Sequence, residues 1–246
     1  MSRVSIIIPT LNESRSIDRT LRQLAILAPA AWEIIIVDGG STDNTIALVK
    51  QTNLAQILHC DRPSRAIQLN HGAAQATGDI LCFLHADTQI PDDAIALIRE
   101  TLADPAIACA GFISIMTGDR KTRWGISLHN FLKTYYAPLL FRPHLFIKGL
   151  RLLFGDQVMF CRRSDFWECG GFDEALPIME DGNLCLRLIR KGRIRQINRI
   201  VQSSDRRVAK WGAWKATALY LYIGILWGLG VSATRLKRFY NDIRQP

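Results

Sequence analysis

The stretch that decides the fold is Glu33-Ile34-Ile35-Ile36-Val37-Asp38-Gly39-Gly40-Ser41-Thr42-Asp43. Its first five residues form an apolar, β-branched run that reads as a strand. An acid and two glycines end that run, and a helix is expected over residues 42–50. The same unit recurs on either side. Residues 4–8 read as a strand, followed by Ile17, Leu21 and Leu24 at helical spacing. Residues 56–59 make a weaker strand, 64–76 a helix, 79–84 a fourth strand and 92–102 a further helix. Strands alternating with helices predict an α/β fold, a mostly parallel twisted sheet with helices on both faces. In such sheets ligands bind at the carboxyl ends of the strands. The polar residues directly after each strand therefore carry functional weight: Thr10-Leu11-Asn12-Glu13, Asp38 to Asp43, and His85-Ala86-Asp87.

The second half is less regular. Residues 124–154 are apolar and aromatic with interspersed Arg, Lys and His, which fits helices packed or resting on something apolar. A strand is expected over 157–162 and a short helix over 184–191. There are no internal repeats, and no composition change marks a linker before about Arg207.

The chain has 246 residues, 48% hydrophobic and 22% charged, so it is globular rather than disordered. Its net charge of +9 is uneven. From Arg187 onward fourteen Lys or Arg face only Asp205 and Asp242, so that stretch carries +12 and the remainder sits near −3. A basic tail on a near-neutral body implies an anionic partner, a phosphorylated substrate or anionic lipid. Nucleic acid is the weakest of the anionic partners, for want of a zinc spacing, an aromatic signature or a basic arm, and none is expected. Six cysteines without a C-x-x-C pair read as reduced, buried thiols of a cytosolic protein. The chain enters its first strand at Val4, and no signal peptide is expected ahead of it.

Residues 216–234 are nineteen uncharged residues, flanked by Arg206, Arg207, Lys210 and Lys215 before and by Arg235, Lys237 and Arg238 after. A spanning helix needs ~20 apolar residues. Three glycines with several Tyr and Trp suit an interfacial helix on anionic lipid instead, and a helix packed in the fold or a true span are the alternatives. The expectation is peripheral contact at the cytoplasmic face of the cell membrane, or a cytoplasmic protein.

Among the polar strand ends, Asp87 is placed to hold a divalent cation shared with phosphate oxygens. Asp38 is placed to accept hydrogen bonds from a base or ribose, with Gly39 and Gly40 allowing close approach. The plainer alternative is that Asp38 and Asp43 cap the following helix. Arg65 opens the helix expected over 64–76, where the macrodipole disfavours a cation. It either reaches back to a base or phosphate or is simply solvated.

SIIIPTLNE, then IIIVDGGSTDNT, then RAIQLNHGAAQATGDILCFLHADT, in that order, resemble family 2 glycosyltransferases of the GT-A fold. The chain looks closest to a bacterial subgroup with FLHADT, GDQ and an acidic E-D pair, some of whose members are described as glycosylating a carotenoid acid, diaponeurosporenoate. The resemblance runs from Val4 to about Arg244. It implies that Pro9, Leu11, Glu13 and Asp38, with Gly40 in the same turn, surround the base and ribose of a nucleotide sugar. It implies also that Arg65 contacts the nucleotide and that Asp87 serves the metal and the diphosphate. The family's acid-any-acid metal motif begins here with His85, an acceptable ligand for Mn2+ and a poor one for Mg2+; the expected metal set is Asp87 with His85, the alternatives being that His85 bonds a ribose or phosphate or only orients Asp87.

Further along, the resemblance implies that Asp181 is the base that takes the acceptor proton, with Glu180 as alternative or tuning partner. Acids at a helix start are also favoured by the dipole alone. Asp156 is expected at the donor sugar or acceptor, and Arg206 and Arg207 as a clamp on the diphosphate, a solvated basic loop being the alternative. The expected organisation is a catalytic domain, 1–207, with a nucleotide-sugar half, 1–109, and an acceptor half, 110–207. A helical, membrane-proximal segment, 208–246, follows. The expected reaction is inverting transfer of a hexose from a nucleotide diphosphate donor, UDP-linked by expectation, to a hydroxyl or carboxyl acceptor of lipid or isoprenoid character. A polyprenyl-phosphate sugar synthase and a catalytically silent nucleotide-binding module are the rivals. A nicotinamide dehydrogenase is disfavoured because no G-x-G-x-x-G follows the first strand.

Overall fold

The computed structural model describes residues 1–62, 64–118 and 121–244, apart from the side chains of Arg207, Lys210, Trp211, Ala213 and residues 240–244. The first half runs β1 (Val4–Thr10), α1 (Ile17–Ala25), β2 (Glu33–Asp38), α2 (Thr45–Thr52), β3 (Gln56–His59), α3 (Arg65–Gln75), β4 (Ile80–Phe83), β5 (Thr88–Gln89) and α4 (Ala94–Ala103). The second runs β6 (Ile107–Thr117), α5 (Trp124–Phe141), α6 (Pro143–Ile147), a 3-10 turn (Gly155–Gln157), β7 (Phe160–Arg162), α7 (Arg163–Glu168), α8 (Glu180–Leu188) and β8 (Arg193–Ser204). Three helices close it: α9 (Arg206–Trp211), α10 (Ala213–Gly228) and α11 (Ala233–Arg244).

The described strands form one sheet in the order β3-β2-β1-β4-β7-β6-β8-β5. β1 pairs in parallel with β2 and β4, β2 with β3, and β6 with β8. β7 lies antiparallel between β4 and β6, and β5 antiparallel to β8. Alternation along the strands divides the core. Ile6, Ile8, Ile34, Ile36 and Cys82 face α1 and α4, whereas Ile7, Ile35, Val37, Leu81 and Phe83 face α3 and α8. The parallel register sets Thr10 opposite Asp38 and Asp38 opposite His59, while Leu84 N–H donates to the Ile7 carbonyl. The loops after β1, β2 and β4 therefore leave the sheet at one edge.

Several boundaries differ from expectation for local reasons. α2 begins at Thr45 because Asp43 Oδ1 accepts from the Thr45 N–H at 3.0 Å and from its hydroxyl, ordering residues 39–44 as a loop. The strand expected over 157–162 shortens to Phe160–Arg162, since residues 155–157 coil and Val158 takes φ +53°. α8 starts four residues before the expected 184, so both acids of the pair lie in its first turn. β6 and β8 are long strands beyond those expected, and the expected boundary at 207/208 falls inside α9. Among the described residues no helix is long and apolar enough to cross a membrane. All six cysteines are free thiols, four of them buried.

Candidate active site

Asp38 is buried at the end of β2, and its carboxylate organises the turn that follows. Oδ2 accepts from the N–H groups of Gly40 (3.1 Å) and Ser41 (2.9 Å), and Oδ1 from the hydroxyls of Thr10 (3.2 Å) and Ser41 (2.5 Å). Gly40 has φ +92°, a conformation that L side chains rarely adopt. Asn12 laces this turn to the loop after β1: its N–H donates to Ser41 Oγ at 2.9 Å and its Oδ1 accepts from the Thr42 N–H at 2.9 Å. The expected ligand contact of Asp38 thus competes with bonds that hold the loop. Pro9 is half-buried and Leu11 exposed at the same edge.

Glu13 and Asp87, from the loops after β1 and β4, share a cation. Arg206 Nη2 lies 2.9 Å from both Glu13 oxygens and 3.5 Å from Asp87 Oδ2. Arg206 begins α9, brought back to the edge by β8. The side chain of Arg207, its expected partner in a clamp, lies outside the described residues.

A second cluster forms where α3 meets α8. Arg65 Nη1 donates to Glu180 Oε1 at 2.5 Å and to Asp181 Oδ2 at 2.8 Å. The Gly155 N–H also donates to Asp181 Oδ2, at 2.9 Å, and among the described residues no donor bonds Asp181 Oδ1. Met179, just before the pair, has φ +66°. That left-handed conformation costs a non-glycine residue roughly 1–2 kcal/mol, and it turns the chain so that the acids enter the first turn of α8. Two negative charges suit that helix end. Burial pushes Asp181 up from 3.8 to about 6, while Arg65 draws it down and Glu180 adds to the rise. Burial alone would lower the Arg65 guanidinium, but the two carboxylates overcome it and hold the group well above its ordinary value.

Gly155 joins the clusters. A Cβ there would collide with the Arg65 guanidinium and with Nε2 of His85, two residues before Asp87. The structure thus brings Arg65, His85, Glu180 and Asp181 together around Gly155, and joins Glu13, Asp87 and Arg206 in a second cluster, tied to the first along the chain by His85 and Asp87. Asp156 stands beside them, with its Oδ2 accepting from Asn130 Nδ2 at 3.3 Å.

Lys133 on α5 was not anticipated. Its buried ammonium sits 3.8 Å from the Phe154 ring centroid and 3.5 Å from Asn130 Oδ1. Burial pushes it below its ordinary value, and the charges of Asp156 and Asp181 oppose that shift. The only signal in the sequence was a cation isolated in an aromatic helix. Among the described residues no group of three or more His, Cys, Asp or Glu is arranged to hold a metal ion.

A mixed α/β sheet with acids and arginines gathered beyond its strand ends is the layout of the GT-A fold, and comparison with known proteins bears this out. The model of "Glycosyl transferase family 2" matches residues 5–170. The chain belongs to glycosyl transferase family 2. It is 26% identical over 225 residues to the pre-mycofactocin glycosyltransferase of Mycobacterium tuberculosis (strain CDC 1551 / Oshkosh), covering 87% of this chain and 45% of that protein. It therefore spans less than half the length of that relative. It is 32% identical over 189 residues to the PGL/p-HBAD biosynthesis glycosyltransferase of Mycobacterium bovis (strain BCG / Pasteur 1173P2), covering 74% of this chain and 68% of that one. Among solved structures, the mannosyltransferase PcManGT from Pyrobaculum calidifontis, in complex with GDP-Man and Mn2+, superposes with a TM-score of 0.69 at 21% identity, covering 91% of this chain and 62% of that one. Glucosyl-3-phosphoglycerate synthase from Mycobacterium tuberculosis, with Mn2+, UDP and phosphoglyceric acid, gives 0.65 at 21% identity over 94% and 79%. These likenesses show the fold.

Proposed function

We propose that the chain transfers a hexose, with inversion, from a UDP-linked sugar to a hydroxyl of a lipid-like acceptor. Pro9, Leu11, Glu13, Asp38 and Gly40 would line the base and ribose side, with Arg65 on the nucleotide. The observation that carries the reading is Asp181, a buried carboxylate at the start of α8 with Oδ2 held by Arg65 and the Gly155 N–H. That leaves Oδ1 to take the acceptor proton, and a base titrating near 6 is ionised at neutral pH. The acceptor oxygen then attacks the anomeric carbon from the face opposite the diphosphate, whose bond to that carbon breaks with its electron pair. Glu180 shares Arg65 with the base and so tunes its charge. Asp156 borders the transferring sugar. Arg206 and Arg207 take up charge on the departing diphosphate.

A divalent cation fits this edge, because Glu13 and Asp87 already share one positive group, Arg206. Asp87 and His85 would hold it, and so few protein ligands leave positions for phosphate oxygens. When bound, it would neutralise diphosphate charge.

The helices beyond the sheet support contact with an anionic membrane. α5 carries Trp124, Leu128, Leu132 and Leu139 as an exposed stripe at helical spacing, and α10 carries Trp214, Leu221, Ile225 and, just past its end, Leu229. Trp214 is 90% and Trp124 68% exposed, an apolar surface unusual for a face in water. Exposed Arg142, Lys148, Lys215, Arg235 and Arg238 accompany these stripes and suit anionic headgroups.

Screening nucleotide sugars for manganese-stimulated hydrolysis tests the donor site. Asp87→Ala is expected to abolish that hydrolysis while the far-UV spectrum and melting temperature hold. Undiminished hydrolysis in the variant sinks the cation assignment.

A further inference from the structure

We infer that an apolar cavity between α5, α8 and the α10–α11 turn holds the hydrocarbon chain of the acceptor, with the reacting end turned toward Asp181. This rests on the transferase reading above and names where its acceptor lies. The cavity measures about 240 Å3. Pro138 and Phe141 wall it from α5, Leu186 from α8, and Trp227 from α10. The cavity and Asp181 share helix α8. Asn183, which also lines it, follows Asp181 by two residues, and a Cβ on the intervening Gly182 would sit 3.0 Å from the Trp227 ring. One wall of the cavity is thus built on the turn that carries the base.

Chemistry and size select the occupant. Most of its lining is aliphatic and aromatic carbon, which favours apolar guests. At ~30 Å3 per water-sized group, it has room for about eight carbons, enough for one to two isoprene units and too little for a helix or strand of a partner protein. Leu139, Leu140 and Leu229 stand 48%, 67% and 69% exposed on the same helices and the α10–α11 turn, so a chain leaving the cavity need not enter water. Arg142 lines the cavity and is exposed, a cation suited to the headgroups of the bilayer that supplies the chain. Gly224 provides the room: it lines the cavity, and a Cβ built on it meets nothing within 4 Å.

The test is a titration of the full chain with farnesol and geraniol, followed by calorimetry, in the wild type, Gly224→Ala and Gly224→Leu. Each methylene removed from an apolar site weakens binding about fourfold. Gly224→Leu is therefore expected to bind farnesol at least about tenfold more weakly, with Gly224→Ala between it and the wild type. Melting temperature without ligand checks that each variant is folded. A diazirine-bearing isoprenoid is expected to label peptides containing Leu186 or Trp227, and this second measurement stands even if Gly224→Leu does not fold. Unchanged affinity in a folded Gly224→Leu overturns the inference, as does labelling confined to other peptides or no binding by the wild type. A separate titration of the wild type with UDP reads the nucleotide site, so failure of the transferase reading and failure of the cavity are seen apart.

Discussion

Two arginines each bridge a pair of carboxylates at the same edge of the sheet, and the pairs differ in burial. The side chains of Arg65 and its partners are 27% and 11% exposed, those of Arg206 and its partners 39% and 18–19%. The difference separates construction from exchange. In the deeper cluster the arginine cannot leave without stranding two charges in a poorly solvated place. In the outer one, water can replace either partner, and the 3.5 Å reach from Arg206 to Asp87 is already loose. A ligand that brings its own charges is expected to rearrange the outer cluster and leave the inner one standing.

The largest expected effect comes from removing Asp181, the proposed base in the inner cluster. Asp181→Asn keeps the volume and a hydrogen-bonding group, yet kcat for a hydroxyl acceptor is expected to fall about a thousandfold, with UDP affinity nearly unchanged. In the wild type, because the proposed base would work unprotonated, kcat should level off about a unit above pH 6 and fall about tenfold per unit below it. The same elevation has a stability consequence of opposite sense. Between 3.8 and about 6 the folded chain holds a proton that the unfolded chain has released, so stability falls as pH rises through that window. Full activity in Asp181→Asn would break the contrast, and it would favour a lipid phosphate as acceptor, which has no proton to surrender.

Next in size is the cation of that cluster. Arg65→Met retains the aliphatic stem and leaves Glu180 and Asp181 without their shared partner. A loss of about 3 kcal/mol in urea unfolding at pH 7 is expected. The loss should shrink at pH 5, because without Arg65 the carboxylates take up protons more readily. Equal losses at both values would mean that the cluster contributes packing and not charge.

What the sequence disclosed follows the same division between repeated pattern and single contact. β1 to β4 were legible because apolar strands alternate with amphipathic helices, and their ends delivered Glu13, Asp38, His85 and Asp87 to one edge. β6 and β8 were not. Ala108, Cys109, Ala110 and Gly111 lack β-branched bulk, and the pairing of these strands shifts register twice, which breaks the period of two along residues 193–204. Arg65 opposite Glu180 was illegible for another reason. The partners lie 115 residues apart, and nothing local in either segment specifies the other. Lys133 was hidden in the same way, since its neighbours Asp156 and Phe154 arrive from beyond the end of α5.

The outer cluster provides the smallest and sharpest test. Arg206→Ala removes a half-exposed guanidinium whose loss water can compensate, so stability should change by less than about 1 kcal/mol. Its effect belongs instead to the ligand. With Arg206 gone, Glu13 and Asp87 lose the guanidinium that they share, and binding of UDP should weaken, more at low salt than at high because the lost attraction is screened. Added Mn2+ should recover part of the affinity, as a metal ion held by Asp87 and His85 would supply beside the diphosphate the charge the arginine no longer does. A variant that loses stability as Arg65→Met does, or whose UDP affinity ignores both salt and Mn2+, would show the outer arginine to be built into the fold as firmly as the inner one. The loops after β1 and β4 would then have no exchangeable charge between them.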